Sequence, residues 1–151
     1  MSAYDALETL GITLPVPTAP VASFAPYVRA GDLLFVSGHI ARRHGTPWAG
    51  RLGAGLTTED GREAARLAAI DLLGTLHAAT GDLDAIVRVV KLMVLVNSAP
   101  TFTEQHLVAN GASELLQRVL GAAGAHARNA FGVAQIPFGA CVEIEAIVQM
   151  R

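Results

Sequence analysis

The spacing of apolar and polar residues predicts that the chain opens with a helix and a β-hairpin. Helical spacing over Ala3–Leu10 stops at Gly11, and the proline-rich stretch Pro15–Pro20 is typical of an extended connector. Strand-like runs over Phe24–Ala30 and Leu33–Ile40 flank a Gly-Asp pair, a strong signal for a two-residue turn. These two runs are therefore expected to form a hairpin.

A long helix is predicted after a glycine-rich loop over His44–Gly55. Thr57 begins this helix, Asp60 completes a loose capping box, and Gly81 ends it. Between them, apolar residues recur at the spacing of one helical face: Ala65, Ala69, Leu72, Leu76 and Ala79.

The clearest strand follows at Ile86–Val96, where β-branched residues predominate and only Arg88 and Lys91 interrupt. Its apolar residues lie on both sides, which predicts burial on both faces. The rest of the pattern predicts three elements: a helix from about Thr103 to Leu120 with a break near Gly111, and strands over Asn129–Gln135 and Val142–Met150.

The order of the main elements is ββ, helix, β, helix, ββ, which predicts an α+β fold. Two helices would cover one face of a mixed or antiparallel sheet. The opposite face then needs its own cover, and another subunit is the simplest. We expect an N-terminal extension over residues 1–20 and a single domain over residues 21–151, because nothing in the pattern indicates a second domain.

The amino-acid composition bears on the oligomeric state. Of the 151 residues, 52% are hydrophobic and 16% are charged, so the surface carries unusually little charge. This favours an oligomer, since a monomer seldom exposes large apolar patches. The alternative is that the many alanines, which exclude little water each, account for the apolar fraction.

Charge and cysteine content restrict the classes of partner and compartment. A net charge of -2 and eight aromatic residues do not fit a nucleic-acid-binding surface. The single cysteine, Cys141, cannot form an internal disulfide and is expected to be a small buried hydrophobe. With no signal peptide or membrane-length apolar run, we expect a cytoplasmic protein that binds no membrane.

Arg128 is the first candidate for a ligand contact. It lies beside an apolar run, where a guanidinium is costly to desolvate without an anionic partner. Its planar fork suits a carboxylate or a phosphate. A structural ion pair with Glu143 or Glu145 would give the same pattern. The histidines show no metal-ligand spacing, so no metal site is predicted.

Three blocks of sequence resemble one family. They are Ala25-Pro26-Tyr27 with Gly31-Asp32-Leu33 and Val36-Ser37-Gly38-His39-Ile40; residues 87–94 (VRVVKLMV) followed by Phe102; and Ala127-Arg128, Val133, Ile136-Pro137 and residues 142–147 (VEIEAI). The family is YjgF, the Rid or reactive intermediate deaminase proteins, formerly called L-PSP endoribonucleases. The resemblance implies a chorismate-mutase-like α+β fold and a homotrimeric barrel with active sites between subunits.

The resemblance also implies a reaction and its residues. The family hydrolyses enamines or imines such as 2-aminoacrylate to 2-keto acids and ammonia without a metal or organic cofactor. Here Arg128 matches the arginine that binds the substrate, and Glu143 matches the acid that orients the attacking water. Tyr27 matches a tyrosine at the pocket rim, and Ser37 matches the serine of an S-G motif in the pocket region.

Other positions match the family less closely. Asn110 matches an asparagine near the family's site at a spacing that differs by one residue. Ala130 stands where a cysteine is common, which leaves only its backbone carbonyl for a ligand. His39 replaces a common glutamine and is a candidate pocket residue. His126 and Asn129 flank Arg128 where proline and serine are usual.

Three functions remain compatible with the sequence. The first is an imine or enamine deaminase, and the second is a non-catalytic binder of small carboxylates in the same pocket. The third is a ribonuclease, which the absence of a basic surface disfavours. The first two share every candidate residue.

Overall fold

The computed structural model describes residues 1–20 and 22–151, which form three α-helices, three short 3-10 helices and nine strands. In chain order the elements are α1 (Ala3–Thr9), β1 (Tyr27–Ala30), β2 (Leu33–Ile40), β3 (Arg42–Arg43), β4 (Thr46–Pro47), β5 (Arg51–Leu52), β6 (Gly55–Leu56), α2 (Thr58–Thr80), β7 (Ile86–Asn97), α3 (Gln105–Leu120), β8 (Ala127–Val133) and β9 (Val142–Met150).

Five of the strands form the main sheet, in the order β1-β2-β9-β7-β8. Neighbouring strands are antiparallel except β7 and β8, which are parallel. The sheet is therefore mixed, and the predicted α+β class is confirmed. β8 lies at one edge, so only one of its sides is paired within the sheet.

The helices cover one face of this sheet. α2 begins with the predicted capping box, since Thr57 and Asp60 each bond the other's backbone N–H, and it ends at Gly81 in a left-handed conformation. α2 and α3 bury an apolar stripe against the sheet. The layer has three helices rather than two, because α1 also joins the core through Ala3 and Leu7.

The other side of the sheet, called here the open face, has no cover within the described residues. Strand register places the following side chains on it: Val28, Phe35, Leu95, Met93, Phe131, Glu143, Glu145 and Ile147. Val28 and Phe35 are cross-strand neighbours that are 57% and 43% exposed. The predicted burial of residues 86–96 on both faces is therefore wrong within one chain, where Val87 and Val90 stay exposed.

Three features differ from the sequence-based expectation. The first strand begins at Tyr27 rather than Phe24, and the predicted loop over residues 44–55 contains short paired strands. α3 is unbroken at Gly111, because this glycine permits close packing of α3 on α2. A Cβ at position 111 would clash with the Arg62 carbonyl oxygen. Within the described residues, no helix is both long and apolar enough to cross a membrane.

Candidate functional site

Arg128 lies on the edge strand β8, and its side chain points to the helix side of the sheet. Its register partner on β7 is Leu92, a fully buried core residue. α3 passes over this part of the sheet and presents its polar groups to the guanidinium. Arg128 is therefore held between the sheet edge and α3, and its side chain remains partly exposed.

Three acceptors from α3 fix the guanidinium. Nη1 donates to Asn110 Oδ1 at 2.9 Å and to Ser113 Oγ at 3.1 Å, and Nη2 donates to the His106 carbonyl oxygen at 3.1 Å. All three acceptors are uncharged. Asn110, which matches the family's asparagine at a spacing that differs by one residue, thus lies directly beside Arg128.

The Arg128 guanidinium has no acidic partner within 4.0 Å in the part of the chain that the structure describes. The alternative of a structural ion pair with Glu143 or Glu145 is therefore wrong within the chain. An arginine has five N–H groups. In Arg128, the N–H on Nε and one of the two on Nη2 donate to no described residue. Nε and Nη2 share one edge of the planar fork, the geometry that accepts a carboxylate through two parallel hydrogen bonds.

A second layer of polar groups lies behind these acceptors, and the sequence did not predict it. Ser113 Oγ is 2.9 Å from His126 Nε2, and His126 Nδ1 is 2.6 Å from the Gly124 carbonyl oxygen. Ser113 is buried. Its spacing of three residues from Asn110 on a helix was the one signal that could have placed it beside Arg128.

Glu143 lies on the open face near the start of β9. Its register partners are Leu95 on β7 and Ile40 on β2. Gly38 makes room for its carboxylate, because a Cβ at position 38 would lie 2.6 Å from Glu143 Oε1. Desolvation by burial, and then the charge of Glu145, raises the pKa of Glu143 above its usual value.

Arg128 and Glu143 do not form a joint site within one chain. Arg128 points to the helix side of β8, whereas Glu143 points to the open face of β9, and β7 separates the two strands. A strand's side chains alternate between faces, so no rotamer change moves either group to the other side.

Ser37 and Tyr27 lie at the β1–β2 side of the sheet. Ser37 donates its hydroxyl to the Ala25 carbonyl oxygen and precedes Gly38, the residue that leaves space for the Glu143 carboxylate. Tyr27 pairs with the buried Val36 and packs partly against the core on the helix side. Their roles as ligand contacts stay predictions.

His39 points beneath α2. A register shift in β2 between Val36 and His39 turns the imidazole to the helix side, where Nε2 lies 2.8 Å from Thr75 Oγ1. Nδ1 lies 2.7 Å from the Ser37 carbonyl oxygen. Desolvation by burial lowers the pKa of His39, and the Ser37 hydrogen bond opposes this effect. Both ring nitrogens have protein partners, and the role of His39 as a ligand contact stays a prediction.

Two further residues lie close to this region. Ala130, on β8, pairs with Val94 and packs its methyl group against the core, which leaves its backbone as the group that could face a ligand. Cys141 is fully buried, and desolvation raises the pKa of its thiol to about 11. The expectation of a small buried hydrophobe is confirmed. No group of three or more His, Cys, Asp or Glu side chains among the described residues is arranged to hold a metal ion.

Comparison with known proteins gives the family context of this arrangement. Residues 5–148 match the family model described as "YjgF/chorismate_mutase-like, putative endoribonuclease". Protein TCP17 of Trypanosoma cruzi is 50% identical over 147 residues, which cover 96% of this chain and 92% of that protein.

Solved structures show the same fold. The crystal structure of Atu1372 from Agrobacterium tumefaciens, a protein of unknown function, is 43% identical with a TM-score of 0.90, and the match covers 99% of this chain and 94% of that one. The structure of E. coli TdcF with bound serine is 21% identical with a TM-score of 0.60, over 91% and 94% of the two chains, a likeness of fold alone. The chain belongs to the YjgF/chorismate mutase-like family.

Proposed function

We propose that this protein hydrolyses small 2-imino acids, and their enamine tautomers, to 2-keto acids and ammonia. The observation that carries the proposal is the Arg128 guanidinium, which is held by three uncharged acceptors while Nε and Nη2 keep N–H groups for an anion. A substrate carboxylate supplies the negative charge that the chain itself does not. Arg128 would bind it through two parallel hydrogen bonds.

Glu143 is suited to handle the protons of this reaction. Its pKa is raised, so the carboxyl group is a stronger base than an ordinary glutamate when it is ionised. Glu143 would remove a proton from water as the water oxygen attacks C2 of the imine. The proton would then pass to the imine nitrogen, which gives a carbinolamine with a hydroxyl and an amino group on C2. Transfer of the hydroxyl proton to the amino nitrogen, again through Glu143, would form the C2 carbonyl, break the C2–N bond and release ammonia.

We propose further that two copies of the chain build each site, with Arg128 from one and Glu143 from the other. The opposite orientations of the two side chains support this arrangement. The unpaired edge of β8 and the apolar open face also favour contact with another copy. Serine in the TdcF structure shows that a protein of this fold holds a small amino acid. A homotrimer, as the family resemblance implies, would provide this contact, and the buried free thiol fits a cytoplasmic protein.

The second candidate function is binding of small carboxylates without catalysis. The observation that favours it is that three acceptors of the same chain already hold the Arg128 guanidinium, whereas Glu143 lies on the other face of the sheet. In this case a 2-oxo acid would bind at Arg128, and Glu143 would be dispensable for binding.

The test is hydrolysis of 2-iminobutanoate generated in the assay by an amino-acid oxidase, with ammonia-free buffer and 2-oxobutanoate formation as the readout. We expect wild-type protein to accelerate hydrolysis well above buffer. Arg128→Ala should lower kcat/KM by about a hundredfold, because a bidentate charge-assisted contact is lost. Arg118→Ala, on the last turn of α3, is the matched control and should be neutral.

The possible outcomes distinguish the deaminase from the non-catalytic binder. A wild-type protein that binds 2-oxobutanoate without accelerating hydrolysis is the binder. Loss of activity in Arg128→Ala together with loss of its helical circular dichroism would show that Arg128 is structural, and the carboxylate-anchor proposal would fail.

A further inference from the structure

The side chains behind Arg128 form a chain of hydrogen bonds with a defined direction. His126 Nδ1 lies 2.6 Å from the Gly124 carbonyl oxygen, and a carbonyl oxygen only accepts. Nδ1 therefore carries the proton of the neutral imidazole, which leaves Nε2 as an acceptor. Ser113 Oγ, 2.9 Å from Nε2, must then donate its hydroxyl proton to His126.

This direction determines what Ser113 offers to Arg128. With its proton committed to His126, the Ser113 oxygen presents a lone pair to the guanidinium, and Nη1 donates to it at 3.1 Å. Asn110, one turn earlier on α3, accepts the other Nη1 proton at 2.9 Å. Both Nη1 protons and one Nη2 proton are then used on α3, which leaves the Nε proton and the second Nη2 proton without a partner among the described residues.

We propose that His126 and Ser113 are positioning residues that hold the Arg128 guanidinium with its Nε–Nη2 edge open to the carboxylate of a 2-imino or 2-oxo acid. The inference rests on the proposed function and explains it one step further. His126 acts through Ser113 and Arg128 and contacts no reacting atom. A freely rotating guanidinium would meet the carboxylate in several orientations, so the two residues improve binding by pre-organisation.

The tautomer of His126 is the first test, and it requires no ligand. Nitrogen-15 NMR of the full-length protein at pH 8 should show a protonated Nδ1 and an unprotonated Nε2 on this ring. Ser113→Ala should shift the Nε2 resonance and speed the exchange of the Arg128 Nη1 protons with water. A wild-type ring protonated at Nε2 would overturn the proposal, whatever any activity assay gives.

A matched pair of substrates is the second test. Wild type, Ser113→Ala and His126→Leu are compared on a 2-imino acid and on the corresponding amide, which lacks the carboxylate. For the acid we expect KM to rise about tenfold with kcat within about twofold, because a guanidinium that is no longer held in place binds the carboxylate more weakly in the ground state and the transition state alike. For the amide, the variants should match wild type.

His126→Gln provides the rescue, because its amide oxygen can accept from Ser113. Its KM for the acid should fall between those of wild type and His126→Leu. Equal losses on acid and amide, or no loss on either, would overturn the positioning role. A wild-type protein inactive on both substrates would contradict the proposed function instead, and the NMR measurement would still decide the role of His126.

Discussion

At the scale of single residues, the molecule keeps its unusual charges on two separate faces of one sheet. Arg128 has uncharged neighbours on the helix side, and Glu143 has a raised pKa on the open face. Each group is costly in the isolated chain, because a charge with no counter-ion is poorly compensated. A substrate that carries both a carboxylate and a polar reaction centre would compensate both.

The raised pKa of Glu143 predicts how this residue affects stability. The folded state holds the Glu143 proton more tightly than the unfolded chain. The contribution of Glu143 to the free energy of unfolding is therefore complete below the usual pKa of 4.5 and is lost as pH rises through the folded-state pKa. Glu143→Gln should therefore be more stable than wild type at pH 7, with a smaller difference at pH 4. Urea unfolding at both pH values measures this. Glu8→Gln, an exposed site in α1, is the control, and a Glu143→Gln variant less stable than wild type at pH 7 would contradict the account.

The lowered pKa of His39 predicts the opposite dependence of stability on pH. The unfolded chain binds the His39 proton more tightly, so the contribution is present above the usual pKa of 6.5 and is lost as pH falls through the folded value. The unfolding free energy of wild type should decline on acidification below about pH 6.5, and His39→Gln should decline less steeply. His106→Gln, an exposed histidine, should keep the wild-type slope. Parallel slopes for wild type and His39→Gln would show that the burial of this imidazole has no such effect.

Sequence reasoning found some residues of the candidate site and missed others for a physical reason. Arg128 was visible because an arginine beside an apolar run needs a partner, and Asn110 followed from the family resemblance. The contacts of Ser113 and His126 were not predicted, although His126 was noted as a departure from the family pattern. Their importance depends on which way α3 faces when it crosses β8, and no local pattern records the crossing of two elements.

At the scale of elements, Gly38 on β2 leaves the space that the Glu143 carboxylate occupies. A Cβ at this position would lie 2.6 Å from Oε1 and 3.0 Å from Cδ of Glu143. The flexible carboxylate can move away, so Gly38→Ala should destabilise the fold by no more than about 1 kcal/mol. It should lower kcat by roughly tenfold or more, because Glu143 loses its position.

The double variant Gly38→Ala/Glu143→Asp tests whether Gly38→Ala lowers activity by displacing the Glu143 carboxylate. The shorter acid withdraws from the added methyl group, so the second substitution should cost less activity in the Gly38→Ala background than in wild type. A double-mutant cycle on kcat measures this coupling. Additive losses would show that Gly38 does not act through Glu143.

The elements were predictable wherever a local signal determined them. The capping box of α2, its glycine stop, the β1–β2 turn and the last strand all follow from short-range chemistry. The break expected at Gly111 was wrong, because the glycine serves contact with α2 rather than a bend. The short strands between residues 42 and 56 were missed, since two-residue pairings leave no periodic pattern.

At the scale of the whole molecule, the open face predicts self-association. Phe35 and its neighbour Val28 expose apolar surface at the centre of a strand pair, which another copy would cover. Phe35→Asp should yield a folded monomer without hydrolytic activity. Phe24→Asp, at a residue that is 50% exposed outside the sheet, should keep the wild-type assembly.

Sedimentation velocity, with circular dichroism to confirm folding, gives the oligomeric state of both variants. A wild-type protein that sediments as a monomer would contradict the shared site, as would a monomeric Phe35→Asp variant with full activity. The α+β class followed from the order of the elements, whereas a site between subunits was expected only from the family resemblance and stays a prediction, because no pattern within one chain states how two copies meet.

The central claim is that one copy provides Arg128 and another provides Glu143. Arg128→Ala and Glu143→Gln, each expected to have little activity alone, are denatured, mixed in equal amounts and refolded together. In a closed ring, random mixing restores both residues in about a quarter of the sites, so the mixture should recover about a quarter of wild-type kcat at unchanged KM. Mixed oligomers, confirmed by native mass spectrometry, that stay as inactive as the two parent variants would contradict the claim.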